Sequence, residues 1–416
     1  MTTSHWWDSD PERQVVIASA VRTAFGRFGG LLKDVSAVDL AAHVMKACVD
    51  RVDLDASELD EIYLGVCSQA ETGTMAPVVA RQALLRAGFP PKTVSMTLDR
   101  ACCSSLAAVQ LAGRAVRCGD ASLVLAGGAE NMSRVPLQLD ASVRWGTKVG
   151  HLALRDELFT MSYPNYNPVS VDAGQVAVEH DIGREEQDRW ALLSQQRYAQ
   201  AQAEGKFECE IVPITVQGRR GESVVVDQDE SPRPDTSMEK LERLKTVYGS
   251  PTVTAGNAPG LNAGAAMVLV TSRAEAERRD LTILAEVLSV ASVAMEPRLI
   301  AEVPAPAIQA ALDQAGLKLD DVALFEINEA FAAMPLVASK LLAGGDPDRT
   351  QWIRDRLNVN GGAVAIGHPV GASGARILLT MIYELMRRGG GLGACAICGG
   401  LAQGDAAVVR VPRTKS

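Results

Sequence analysis

Four residue types in the chain could do chemistry together if the fold assembles them. The segment from Asn358 to Arg376, NVNGGAVAIGHPVGASGAR, holds one histidine, His368, among Gly361, Gly362, Gly367, Gly371 and Gly374. Glycine permits positive φ and close approach of another group. A histidine in such a loop is expected to be poorly shielded and available for proton transfer. A structural turn around a satisfied histidine is the competing reading of this stretch alone.

Cys102 follows the strand-like TVSMTL (93–98) and precedes the apolar helix 106–117, with the small residues Ala101, Ser104 and Ser105 beside it. Free N–H groups and the helix dipole favour a thiolate there, and a tight strand-to-helix turn exposes its side chain. A buried structural thiol competes with that reading. The adjacent Cys103 should point elsewhere. Cys395 and Cys398 form Cys-x-x-Cys, the spacing of a redox pair or half a zinc site. No second such pair exists, so no metal site is expected. Cys398 precedes Gly399-Gly400 at a strand end, where a second thiol near a glycine N–H suits acid/base work. Asn328, in Asn328-Glu329-Ala330-Phe331, can hold a water or polarise a carbonyl, unless it only caps a helix. His5, His43, His151 and His180 lack such surroundings. Arg219, Arg220, Arg233, Lys240, Arg243 and Lys245 could meet a phosphate-bearing ligand or simply form a solvated face.

The elements that must position these groups alternate. Strands are expected at 14–20, 60–66, 93–98 and 122–128, with helices at 37–52, 77–88 and 106–117 between them, the pattern of an α/β sheet. From Ala129 to about Thr252 strand-like runs thin out, though 184–205 reads as an amphipathic helix and 231–245 as turn residues leading into a basic helix. This region is expected to be an insertion folded over the core. The α/β texture resumes at 252–269. A helix at 306–315, a strand at 322–327, a helix at 375–388 and a strand at 394–397 follow. The second half repeats the order of the first: a helix, a short Leu-Asp turn and a strand; then a turn bearing Cys102 or His368, a helix, a strand and a Gly-Gly pair. A period this long indicates two similar packed domains rather than a repeat array. Equivalent turns of such a pair can face each other, which would bring Cys102 and His368 together.

Bulk properties agree. A chain of 416 residues is too long for one small core. A hydrophobic fraction of 47% with 22% charged residues is that of a globular protein, and 4% aromatic residues favour close helix-on-sheet packing. The net charge of −9 argues against a nucleic-acid surface. No apolar run is long enough to span a membrane. The start of the chain has neither a secretory signal nor an Arg-rich transit character, so a cytoplasmic location and free thiols are expected.

Taken together, the motifs resemble the thiolase family over essentially the whole length. They are GGAENMS (127–133), VTAGNAPGLNAGAA (253–266), NEAF (328–331), NGGAVAIGHPVGASGAR (360–376), and Cys398 with its glycines and Gln403-Gly404. The resemblance implies a duplicated five-layer α/β/α/β/α fold. Its N-terminal half would comprise 1–128 and 253–285, an inserted loop domain over the coenzyme A site 129–252, and its C-terminal half 286–416. It implies a homodimer or homotetramer acting on acyl-CoA and CoA, with coenzyme A thioesters as substrates and no permanently bound cofactor. It makes Cys102 the nucleophile that takes the acyl group, His368 its activator and Cys398 the second acid/base. Asn328 would hold an oxyanion-hole water, and the Cys102 and Gly400 N–H groups would form a second oxyanion hole. Arg233, Leu244, Ala255 and Phe331 would contact coenzyme A. A decarboxylating ketosynthase-type enzyme would need two active-site histidines. A silent relative would not be expected to keep all four chemical groups. The chain departs from the family in Cys102-Cys103-Ser104-Ser105, where glycines usually follow the cysteine and the serine. It departs again in Pro259 for a serine, Pro168-Val169 for His-Met, and Ile300 for a methionine. These departures bear on acyl size more than on chemistry.

Overall fold

A computed structural model describes residues 11–413 except 160 and 219; His5 and Arg219 therefore lie outside the described residues. The first half contributes β1 (Val15–Arg22), α1 (Ala37–Asp50), β2 (Glu61–Gly65), α2 (Val79–Arg86), β3 (Val94–Leu98), α3 (Ser104–Cys118) and β4 (Leu123–Asn131). After the helices α4 (Val169–Glu179) and α5 (Arg184–Ala203) comes β5 (Asn262–Ser272), which returns to the sheet. The second half supplies β6 (Ala285–Ala294), α6 (Pro304–Ala315), β7 (Leu324–Ile327), α7 (Ala333–Leu342), α8 (Ser373–Arg387), β8 (Gly391–Gly399) and β9 (Gln403–Val411).

Local chemistry explains the main elements. Ser36 caps α1 by accepting from the Asp39 N–H, which satisfies an otherwise orphaned donor. Leu40, Val44, Met45 and Val49 form its buried stripe. All eight residues of β1 are buried, as a central strand covered on both faces requires. Helix α8 is buried from Ser373 to Leu385, so it lies in the middle of the molecule rather than on a flank.

The strands form one path in the order β7-β8-β9-β6-β1-β5-β4-β2-β3. Its two sides repeat. In the first half β2 runs parallel to β4, and β4–β5 and β5–β1 are antiparallel. In the second, β7 runs parallel to β8, and β8–β9 and β9–β6 are antiparallel. The counterpart of β3 is reduced to a parallel bridge between Phe325 and Leu357. The halves join where β1 pairs with β6, Val16 opposite Glu286 and Ile17 opposite Ala285. Helices α3 and α8 pack against each other between the two sheet halves, α1 and α2 cover the first half outside, and α6 and α7 cover the second. This is a five-layer α/β/α/β/α arrangement. It places the N-terminal ends of α3 and α8, and thus the Cys102 and His368 turns, side by side.

Residues between β4 and β5 carry few strands, chiefly the hairpin Ile214–Gln217 with Ser223–Val226. Ala173, Val176, Ala177 and Trp190 from α4 and α5 pack into the second-half core. Arg22 at the end of β1 is fully buried between Glu210 and Asp229, at 2.6 and 2.7 Å, and anchors this segment to the sheet. Helix α4 and strands β6 and β9 were not anticipated from the sequence. The basic helix expected within 231–245 is only Met238–Glu242. At 252–261 the chain is loop and bridge before β5 begins.

Candidate active site

The turn between β3 and α3 is tight. Ala101 adopts φ 48°, a left-handed conformation that an L-residue adopts at a cost of about 1–2 kcal/mol. Ser104 staples it: its Oγ accepts from the Arg100 N–H at 2.8 Å and donates to the Ala101 carbonyl at 2.6 Å. Cys102 is thereby turned toward the second half, where its Sγ lies 3.2 Å from His368 Nε2. Cys103 points the other way. Its thiol is buried and meets the Ile397 carbonyl at 3.3 Å. The space it fills exists because residue 399 is glycine, where a Cβ would stand 2.9 Å from the Cys103 sulfur. Ser105 Oγ accepts from the Ala375 N–H at 2.9 Å, fastening the start of α3 to the start of α8. Ser105 thus ties the two turns together, while Cys103 packs against the end of β8.

His368 is oriented on three sides. Its backbone N–H donates to Asn262 Oδ1 at 2.8 Å, and Asn262 Nδ2 in turn reaches Gly26 O and Ser231 Oγ. Its Nδ1 lies 2.6 Å from Ser373 Oγ, which itself donates to the Pro369 carbonyl at 3.0 Å. With that hydroxyl hydrogen committed, Ser373 accepts from Nδ1–H, and Nε2 is left as the acceptor facing Cys102. Asn328 Nδ2 is 3.5 Å from the same Nε2, while Arg376 approaches Asn328 Oδ1 at 3.5 Å. The guanidinium fixes the sense of the amide, so its N–H groups face the site. Asn328 is no helix cap, since Ala332 holds the N-cap position of α7.

Two expectations about ionisation are corrected. His368 is only 7% exposed, not poorly shielded: the glycines of its loop allow close packing rather than open space. Burial, together with Arg376, pulls its pKa down to about 3. Burial and the neighbouring Cys398 push the Cys102 thiol well above its ordinary value, so the thiolate favoured by the helix terminus does not form at rest. Both shifts favour the uncharged forms, neutral thiol and neutral imidazole.

Cys398 lies at the end of β8, 1% exposed, with its thiol pushed up to about 12 by burial. Cys395, three residues earlier, belongs to the core on the opposite side of the strand, as the two-residue period of a strand demands. The two thiols therefore do not form a redox pair. After Gly400 the chain turns through Leu401 and Ala402 at φ 56° and 52°. Such strain gathers at functional sites. Glu329 is buried and accepts from Trp190 Nε1, Ser194 Oγ, Asn358 Nδ2 and the Val364 N–H at 2.8–3.0 Å, joining α5 to the loop that leads to His368. Glu130 plays a similar part, accepting from the Cys67, Ser68 and Gly371 N–H groups.

The remaining candidates lie along 255–257. Arg233 Nη1 donates to the Ala255 carbonyl at 3.4 Å. Leu244 packs where a side chain on Gly256 would stand. The Asn257 carbonyl accepts from the N–H of Ala332, next to Phe331. Lys240 and Arg243 pair with Asp235 and Glu239 on exposed surface, the solvated-face arrangement. The supports Asn262, Ser373, Glu329 and Arg376 were given no role from sequence, although each sits in or beside a motif. Spacing alone does not reveal a hydrogen bond between segments 106 positions apart, such as Asn262 to His368.

The profile of the thiolase N-terminal domain matches residues 15–274 and that of the thiolase C-terminal domain residues 281–411. The chain is 43% identical to a β-ketoadipyl-CoA thiolase of Pseudomonas knackmussii over 412 residues, covering 95% of this chain and 99% of that one. It is 40% identical to an acetyl-CoA acetyltransferase of Pseudomonas aeruginosa, covering 95% and 98%. The crystal structure of the Bacillus anthracis acetyl-CoA acetyltransferase superposes with a TM-score of 0.91 at 38% identity, covering 97% and 100%.

Proposed function

Since the chain belongs to the thiolase family, we propose that Cys102 carries the acyl group in the family's reaction. That reaction is the reversible condensation and thiolysis acyl-CoA + acetyl-CoA = 3-oxoacyl-CoA + CoA, and the chain is an acyltransferase of this class. The observation that carries the assignment is the 3.2 Å approach of Cys102 Sγ to a His368 Nε2 whose other nitrogen is already committed.

In the first step Cys102 sulfur attacks the thioester carbonyl while His368 Nε2 takes the thiol proton. The CoA sulfur departs with the C–S electron pair and takes a proton from Cys398. In the second, the Cys398 thiolate removes a proton from the methyl carbon of acetyl-CoA. A thiol at about 12 has a strongly basic conjugate thiolate, which suits so weak a carbon acid. The enolate carbon attacks the acyl group, and Cys102 leaves and recovers its proton from His368. Asn328, aimed by Arg376, stabilises the enolate oxygen through a water; the Cys102 and Gly400 N–H groups serve the acyl oxygen. Arg233, Leu244, Ala255 and Phe331 seat the coenzyme A. Pro168, Val169 and Ile300 bear on acyl size, the feature in which relatives named for acetyl and β-ketoadipyl groups differ. The exposed edge β3, with Val94 and Met96 outward, supports a homodimer formed by edge pairing. Among the described residues no helix is long and apolar enough to cross a membrane.

Replacing Cys398 separates the two steps. Cys398→Ala is expected to accept an acyl group on Cys102 yet form no 3-oxoacyl-CoA; normal turnover would refute the role given to Cys398.

A further inference from the structure

Tyr163 comes from the segment between β4 and α4, outside every motif discussed above. Its hydroxyl oxygen occupies the place a side chain on Gly400 would take. The phenol therefore touches the glycine whose N–H is proposed above to serve the acyl oxygen, and residue 400 must lack a Cβ to admit it. Burial, chiefly, pushes the phenol up to about 12. Tyr163 therefore stays protonated beside Gly400. Among the described residues, none makes a hydrogen bond to its hydroxyl. Tyr163 is 37% exposed, so this hydroxyl is a donor held against Gly400 at the solvent edge of the site.

The position is built rather than incidental. Ser162 and Pro168 bridge across the loop, and the Tyr166 N–H donates to the Tyr163 carbonyl at 3.1 Å. Asn167 Nδ2 donates to Asp172 Oδ1 at 2.8 Å in the first turn of α4. Phe159 stacks edge-on to Tyr248, with ring centres 5.4 Å apart.

We propose that Tyr163 is a further catalytic residue, whose hydroxyl donates to the carbonyl oxygen of the acyl group on Cys102, beside the Gly400 N–H. The proposal rests on the acyl-Cys102 reading above. When Cys102 sulfur bonds to the carbonyl carbon, the C=O π pair moves onto oxygen. Tyr163 stabilises that charge by a hydrogen bond and keeps its proton; collapse expels CoA sulfur with its electron pair. No proton leaves the phenol, so the assignments to His368 and Cys398 are unchanged. A donor already held in place is effective because it needs no reorganisation as charge develops.

Tyr163→Phe keeps the ring and removes only the donor. Acylation by acetyl-CoA and by a longer straight-chain acyl-CoA is followed by rapid quench and mass spectrometry. The carbonyl stretch of an isotope-labelled acetyl-enzyme is read by infrared spectroscopy. The expected result is slowing by roughly a hundredfold with both donors and a shift of the carbonyl band to higher frequency. A variant with wild-type rates and band overturns the proposal, as does a defect confined to the longer chain, which would make Tyr163 a pocket wall. Wild-type protein that never acylates Cys102 overturns the parent reading together with this one. Acylated wild type matched by Tyr163→Phe overturns this one alone.

Discussion

His368 Nδ1 sits 2.6 Å from Ser373 Oγ, and the Ser373 hydrogen is already spent on the Pro369 carbonyl. A neutral hydroxyl five residues along the same loop thus decides which nitrogen of the ring faces Cys102. Among the described residues no charged group bonds Nδ1, so the device fixes the tautomer without raising the basicity of the ring as a carboxylate would.

Ser373→Ala is expected to leave the fold intact and to slow acylation by on the order of 100-fold, the scale of a misplaced reacting group. Rapid-quench acylation alongside thermal melting checks this. An unchanged rate would show that the loop backbone alone orients the ring.

Burial opposes charge on both members of the Cys102–His368 pair. His368 titrates near 3 in the folded protein, below its ordinary value of 6.5. The unfolded chain therefore binds more protons between those values, and this group's contribution to stability is complete above pH 6.5 and lost as pH falls toward 3. The same shift predicts no acid limb from His368 in the acylation rate between about pH 5 and 8. It also predicts no thiolate absorbance from Cys102 in that range, read as the ultraviolet difference between wild type and Cys102→Ala. A thiolate band at neutral pH would mean an ion pair at rest.

Glu329 gathers four donors from α5, Asn358 and Val364 into one buried carboxylate. Glu329→Ala would strand all four and is expected to cost about 3–5 kcal/mol, measured by urea unfolding. A loss below about 1 kcal/mol, the scale of an exposed pair, would mean that Glu329 is not a main anchor of the insert on the second half.

Cys103 fills space that Gly399 leaves open. Cys103→Gly is expected to cost about 1–3 kcal/mol in lost packing and chain entropy. Acyl labelling of Cys102 should persist. Loss of the label without loss of stability would give Cys103 a direct part in the chemistry.

Much of this was legible from the sequence, for identifiable reasons. The alternation of strands and helices and the repeated order of parts pointed to two similar halves, and hence to facing Cys102 and His368 turns. Residue type alone left Cys398 and Asn328 open, and the family resemblance gave them their expected roles. What escaped depends on three-dimensional crossing. Asn262, Ser373 and Arg376 act through hydrogen bonds between loops, and Tyr163 lies in a stretch with no periodicity to mark it. Strand β6, AEVLSVASVA, mixes small, polar and β-branched residues and shows no clear alternation. The helix dipole at Cys102 was readable, but the burial that outweighs it was not.

The central claim is that the acyl group travels on Cys102. Mixing the protein with acetyl-CoA, digesting it without reductant at mildly acid pH and mapping the acetyl mass by mass spectrometry tests it most directly. The account predicts one acetyl group on the peptide bearing Cys102, absent in Cys102→Ser and removed by added CoA. Turnover with the acetyl group on another residue, or with labelling unchanged in Cys102→Ser, would contradict it.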